Sequence, residues 1–179
     1  MRRKTRSFNA RRRSGLSLLE VSIGSVMAAS IAVMAASVTV DMSRGMADSV
    51  ARSRIAGEAR LAIESFRRDF SGSDPDSPAG DRSRWRLVDL MVPSADELRL
   101  CFDASRNATA DWVSPDRVVI YIESDGQLLR SDLLRSKTNV IAHHVESVEF
   151  EVIGNELRIE IEFDFAGVSE SYTFNTPNL

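Results

Sequence analysis

The sequence predicts an α+β protein in which one long N-terminal helix packs on an antiparallel β-sheet. Three observations predict it. Residues 21–40 carry no charge. No proline occurs before Pro75, and apolar residues recur at helical spacing as far as Phe70. From Arg86 onward the pattern changes to alternation, which closes on a hairpin about Gly154-Asn155.

Charge divides the chain before any element does. The formal net charge is −3 over 179 residues. Residues 1–15 hold seven basic side chains and no acid; the remainder holds 16 basic and 26 acidic residues, a net of −10. So acidic a body excludes general nucleic-acid binding, which needs a basic surface. The basic head suits the cytoplasmic flank of a membrane segment. Cys101 is the single cysteine, so no intrachain disulfide forms, and a small buried hydrophobe is its expected role.

Residues 16–40 are 25 in number, about 37 Å as a helix and enough to span a bilayer with some tilt. Three readings fit. A secretory signal peptide would be removed at a small-residue site such as Ser30-Ile31-Ala32, with Glu20 inside its apolar region. A signal anchor would never be cleaved. In the third reading the basic leader is cut after Gly15 and the hydrophobic helix is retained.

The third reading has a motif. "GLSLLEV", residues 15–21, resembles the prepilin signal of type IV pilins and type II secretion pseudopilins, typically G-F-T-L-[IL]-E-V. The resemblance implies cleavage between Gly15 and Leu16 by a membrane-embedded prepilin peptidase, followed by N-methylation of Leu16. Leu16 stands where phenylalanine is usual. Residues 1–15 would be the cleaved leader and 16–40 a single transmembrane helix in the cytoplasmic (inner) membrane. The N-terminus would be cytoplasmic and the domain periplasmic or extracellular.

Glu20 admits two roles. Ser17-Leu18-Leu19-Glu20 fits the S-x-x-E capping box, in which the carboxylate satisfies backbone N–H groups at a helix start. The family resemblance instead implies that Glu20 neutralises the new N-terminal amine of its own or a neighbouring subunit in a growing filament. Gly24, Ala28, Ala32 and Ala36 follow at steps of four, a slanting ridge of small residues along which helices approach closely in lipid. A generic alanine-rich span reads the same way. Major subunits of the family commonly carry a proline in this helix; its absence leans towards a minor subunit.

Residues 41–70 are expected to continue the helix outside the membrane. Met42, Met46, Val50, Ile55, Ala59, Ala62 or Ile63, Phe66 and Phe70 would form the core face, with arginines and glutamates opposite. Gly45 and Gly57 weaken it by about 1 kcal/mol each relative to alanine. Residues 71–81, with two prolines, then end the helix. Asp74, Asp76 and Asp81 hint at calcium but lack the EF-hand pattern, so a solvated loop is expected.

Residues 71–179 read as an antiparallel β domain. Leu98, Leu100 and Phe102 alternate with Arg99, Cys101 and Asp103. "RVVIYIE", residues 117–123, is apolar on both faces, as a central strand is. A turn at residues 124–126 leads into "QLLRSDLL". Val148, Phe150 and Val152 then alternate up to Gly154-Asn155, and Leu157, Ile159 and Ile161 alternate back. A two-residue turn pairs 152 with 157, 150 with 159 and 148 with 161, placing every apolar residue on one face. Glu151 then faces Arg158, while Glu149 faces Glu160. Tyr172 and Phe174 indicate a last strand after Gly167. The series Leu128-Leu129-Arg130, Val140-Ile141, Val145, Val148 and Phe150 is similar to the C-terminal half of J-type minor pseudopilins and W-type minor pilins. That resemblance implies heteromeric partners among other minor pilins or pseudopilins.

Catalysis has no foothold in the sequence. His143 and His144 are adjacent, so in a strand they point to opposite faces and cannot share a metal. There is no nucleophile elbow, phosphate-binding glycine loop or zinc motif. Asn107-Ala108-Thr109 is a glycosylation sequon by letters only. The expectation is therefore a non-enzymatic filament subunit with no cofactor, no metal and no nucleic-acid partner. The alternatives are a signal-anchored protein whose outer β domain binds a ligand or partner, and a secreted enzyme.

Overall fold

The computed structural model describes residues 17–72, 86–104 and 107–176. Helix α1 runs over Leu18–Phe70 and eight strands follow: β1 Arg86–Ser94, β2 Glu97–Asp103, β3 Arg117–Ser124, β4 Gln127–Asp132, β5 Lys137–His143, β6 Val145–Ile153, β7 Glu156–Phe165 and β8 Val168–Asn175. The chain divides into two compact units, Met1–Met46 and Ala47–Leu179. In the first unit every described side chain, residues 17–46, is exposed.

The second unit is α+β, with two antiparallel sheets rather than the single one expected. β1 to β5 form a meander in sequence order, and β6 to β8 form another. The break falls at His144, whose φ of 60° turns the chain out of β5 and into β6. Backbone bonds pin this corner: Val145 N–H to the Gly126 carbonyl at 3.1 Å, and Asp164 N–H to the His144 carbonyl at 3.0 Å. No glycine or proline marks the corner in the sequence, which is why alternation alone joined the two sheets.

Turn chemistry sets the registers. Gly154 has a φ of 64° and Asn155 does not share it, the type II′ arrangement. The β6–β7 hairpin therefore pairs Val152 with Leu157, Phe150 with Ile159 and Val148 with Ile161, as the alternation requires. Asp125-Gly126 and Ala166-Gly167 both have positive φ at two successive residues, the type I′ turns that join β3 to β4 and β7 to β8. β3 lies in the middle of its sheet, with Val118, Val119 and Tyr121 buried.

The helix meets this core through Ala51, Ile55, Ala59, Ala62 and Phe66, all buried. Phe66 touches both sheets: its ring lies 4.4 Å from Tyr121 and 6.1 Å from Phe150, centroid to centroid. Met42, Met46 and Val50, expected on the core face, are instead exposed. The expected Ile55, Ala59, Ala62 and Phe66 do lie on this face; Ala51 rather than Val50 continues it, and every described residue before Ala51 is exposed.

Candidate functional site

The first turn of α1 holds the sequence motif's charged residue. Ser17 N–H donates to Glu20 Oε2 at 2.9 Å, and Glu20 N–H donates to Ser17 Oγ at 3.2 Å. This is the reciprocal capping box, and it satisfies two of the donors that a helix start leaves unpaired. Among the described residues Glu20 Oε1 accepts no hydrogen bond, so the carboxylate retains an oxygen for a second donor. Gly15 and Leu16 lie outside the described residues, as do Asp74, Asp76 and Asp81.

Beyond Glu20 the helix is long and apolar enough to cross a membrane, and the apolar window has no residue buried. Ser22, Ser25, Ser30, Ser37 and Thr39 each return their hydroxyl to a carbonyl three or four residues back. That internal bonding removes the cost of carrying hydroxyls through a medium without water. Gly24, Ala28, Ala32 and Ala36 are all exposed, and a Cβ added at Gly24 would meet nothing within 4 Å. Among the described residues nothing covers this ridge of small side chains.

A second constellation escaped the sequence reading. Asp69, in the last turn of α1, is buried and forms a two-pronged ion pair with Arg130 of β4, Nε to Oδ2 at 2.7 Å and Nη2 to Oδ1 at 2.9 Å. The Tyr121 hydroxyl donates to Asp69 Oδ2 at 2.7 Å and also meets Ser65 Oγ at 3.0 Å. Burial and the neighbouring Asp69 charge push the Tyr121 phenol well above its ordinary value. Burial pulls the Arg130 guanidinium down, but its bonds and charge pairing with Asp69 prevail and raise it. Arg117 and Asp132 form another fully buried pair, Nε to Oδ2 at 2.8 Å. Both ion pairs are buried and tie separate elements together, Asp69–Arg130 joining α1 to β4 and Arg117–Asp132 joining β3 to β4. The available sequence signal was period two in β4: Arg130 and Asp132 share a face with buried Leu128.

Cys101 is buried. Burial raises its thiol above the usual value and keeps it protonated, which makes it a poor nucleophile. His144 lies outside both strands, with its ring 4.4 Å from Phe165 and 6.4 Å from His143, so opposite strand faces do not describe the pair. Among the described residues no three His, Cys, Asp or Glu side chains are grouped to hold a metal.

No protein family, curated protein or solved structure matches this chain.

Proposed function

We propose that the chain is a minor pilin or pseudopilin: a structural subunit, not an enzyme, drawn by its helix into a type II secretion or type IV pilus-like filament. One observation carries the reading. A basic leader, Gly15, four residues, Glu20 and an uncharged run coincide in one order and spacing. Two features support it. An exposed apolar helix continues into an α+β unit, and among the described residues Glu20 Oε1 has no hydrogen-bond donor at the helix start. Prepilin peptidase would cut between Gly15 and Leu16 and methylate Leu16. The helix would stay in the cytoplasmic membrane, and its ridge from Gly24 to Ala36 would pack against neighbouring helices. Other minor subunits would bind the outer domain.

Mass spectrometry of the mature protein tests this. The expected chain starts at an N-methylated Leu16; a chain starting at Met1 in cells with active peptidase overturns it. A second reading, a signal-anchored protein whose outer domain binds a partner, draws on the capping box, which gives Glu20 a role within its own helix. That reading requires an uncut N-terminus, so the same measurement separates the two.

A further inference from the structure

Strand β8 closes the order β6-β7-β8, so one of its sides is a sheet edge. The type I′ turn makes Phe165 and Val168 a hydrogen-bonded pair, and the ladder is still in phase where Thr176 N–H reaches the Leu157 carbonyl at 2.9 Å. Between them the alternation turns the N–H and C=O groups of Ser169, Ser171, Thr173 and Asn175 away from β7. Among the described residues none of these groups bonds to the backbone of another element. Proteins usually blunt such an edge with lysine, proline or a bulge. β8 has no lysine and no proline, and its pairing with β7 has no register shift.

Beside this edge runs a cleft of about 680 Å³ between α1 and Tyr172 of β8. Ala59 and Ile63 line it with apolar surface; Arg60, Arg67 and Arg68 surround that surface, against the single acid Glu64. Arg67 lies over the Phe174 ring at 5.7 Å. Arg60 and Arg68 form no ion pair among the described residues. On a body of net charge −10, three arginines around one cleft are a local reversal of sign.

We propose that the β8 edge and this cleft together dock an extended acidic segment of another protein. The edge calls for a strand, because only an extended backbone satisfies its alternating donors and acceptors. The arginines call for carboxylates on the side of that strand facing α1. The six steps from Ser169 to Asn175 span about 20 Å, so a segment of about seven residues covers the edge. The site lies wholly in the outer unit and stands whether or not Gly15 is cleaved.

The test uses the full chain in detergent micelles and fluorescence anisotropy of labelled peptides of about eight residues. One peptide alternates threonine with glutamate, a second replaces each glutamate by lysine, and a third is the glutamate peptide with N-methylated backbone amides. The glutamate peptide should bind, and the other two should bind at least about tenfold more weakly. The double variant Arg60→Glu/Arg68→Glu should reverse the charge preference, and Ser171→Pro, which removes an outward N–H on an edge strand, should weaken binding without unfolding the chain. Three results would each overturn the proposal: no binding of the glutamate peptide, equal binding of the N-methylated peptide, or equal binding of the lysine peptide. Self-association that competes with the peptide and is lost in the arginine variant would make a second copy the occupant and overturn it too. N-terminal processing is read separately, so failure here leaves the filament proposal standing.

Discussion

Arg130 reaches from strand β4 to Asp69 across 61 positions of sequence and grips both carboxylate oxygens, at 2.7 and 2.9 Å. The bond ties the last turn of the helix to the five-stranded sheet. With Tyr121 and Ser65 it forms a polar cluster beside Phe66.

Removing either partner should therefore be costly. Asp69→Ala or Arg130→Ala leaves a buried charge without its partner, an expected loss of about 3–5 kcal/mol. The double change Asp69→Leu/Arg130→Met removes both charges and should recover most of that. Tyr121→Phe should cost about 1.5–3 kcal/mol, the worth of a hydrogen bond to a charged group, because the hydroxyl bonds the Asp69 carboxylate. Denaturant unfolding of the four variants checks the order: a double variant as unstable as the sum of its singles would mean that the pair is not one unit.

The same cluster sets a pH response. The Tyr121 phenol is raised by burial first and by Asp69 next, so the folded state holds that proton more tightly than the unfolded chain does. The stability this contributes is complete below the ordinary value of 10.0 and is lost as pH rises through the raised folded value. Tyr172, raised by desolvation and then by Glu170, acts in the same direction. The chain has only these two tyrosines. Tyrosinate absorbance should lag behind that of free tyrosine near pH 10, then rise together with unfolding. A normal titration with the fold intact would contradict the Tyr121–Asp69 bond.

How much was legible in the sequence follows from which physical rule was local. The β6–β7 register needed only period two and a glycine-led turn, and Val148, Phe150 and Val152 carried both. The central place of β3 followed from its apolar faces. The core face of the helix was legible from Ile55 to Phe66 by helical spacing, but Val50 was taken where the smaller Ala51 packs. Asp69 carried no signal in the sequence: its partner Arg130 lies 61 positions along the chain, and no spacing rule reaches that distance. The corner at His144 needed a positive φ on a non-glycine residue, which no glycine or proline announced.

Gly57 offers a test in which folding and any assembly are read apart. It lies inside α1, and a Cβ there would meet nothing within 4 Å. Gly57→Ala should therefore stabilise the second unit by about 1 kcal/mol through helix propensity alone. If a neighbouring subunit approaches the helix at this point, the same variant should lower incorporation into filaments while the isolated protein becomes more stable. Thermal unfolding and filament recovery, measured side by side, read the two effects independently.

The last prediction concerns the two roles of Glu20. In the capping box Ser17 and Glu20 are equal partners, joined by bonds of 2.9 and 3.2 Å. Ser17→Ala removes one bond and leaves the carboxylate; Glu20→Ala or Glu20→Gln removes the charge. If capping is the whole role, Ser17→Ala and Glu20→Ala should behave alike, each weakening the helix start by about 1 kcal/mol. Glu20→Gln should then be near normal, because glutamine also closes a capping box. If the carboxylate pairs with an N-terminal amine of a neighbouring subunit, the order changes. Ser17→Ala should assemble, while both Glu20 variants should insert in the membrane and be cleaved yet fail to enter filaments. The amide has no charge to neutralise the amine, so Glu20→Gln is the deciding variant. Membrane fractionation, N-terminal mass spectrometry and filament shearing score the three steps. Normal assembly of Glu20→Gln would return Glu20 to its cap.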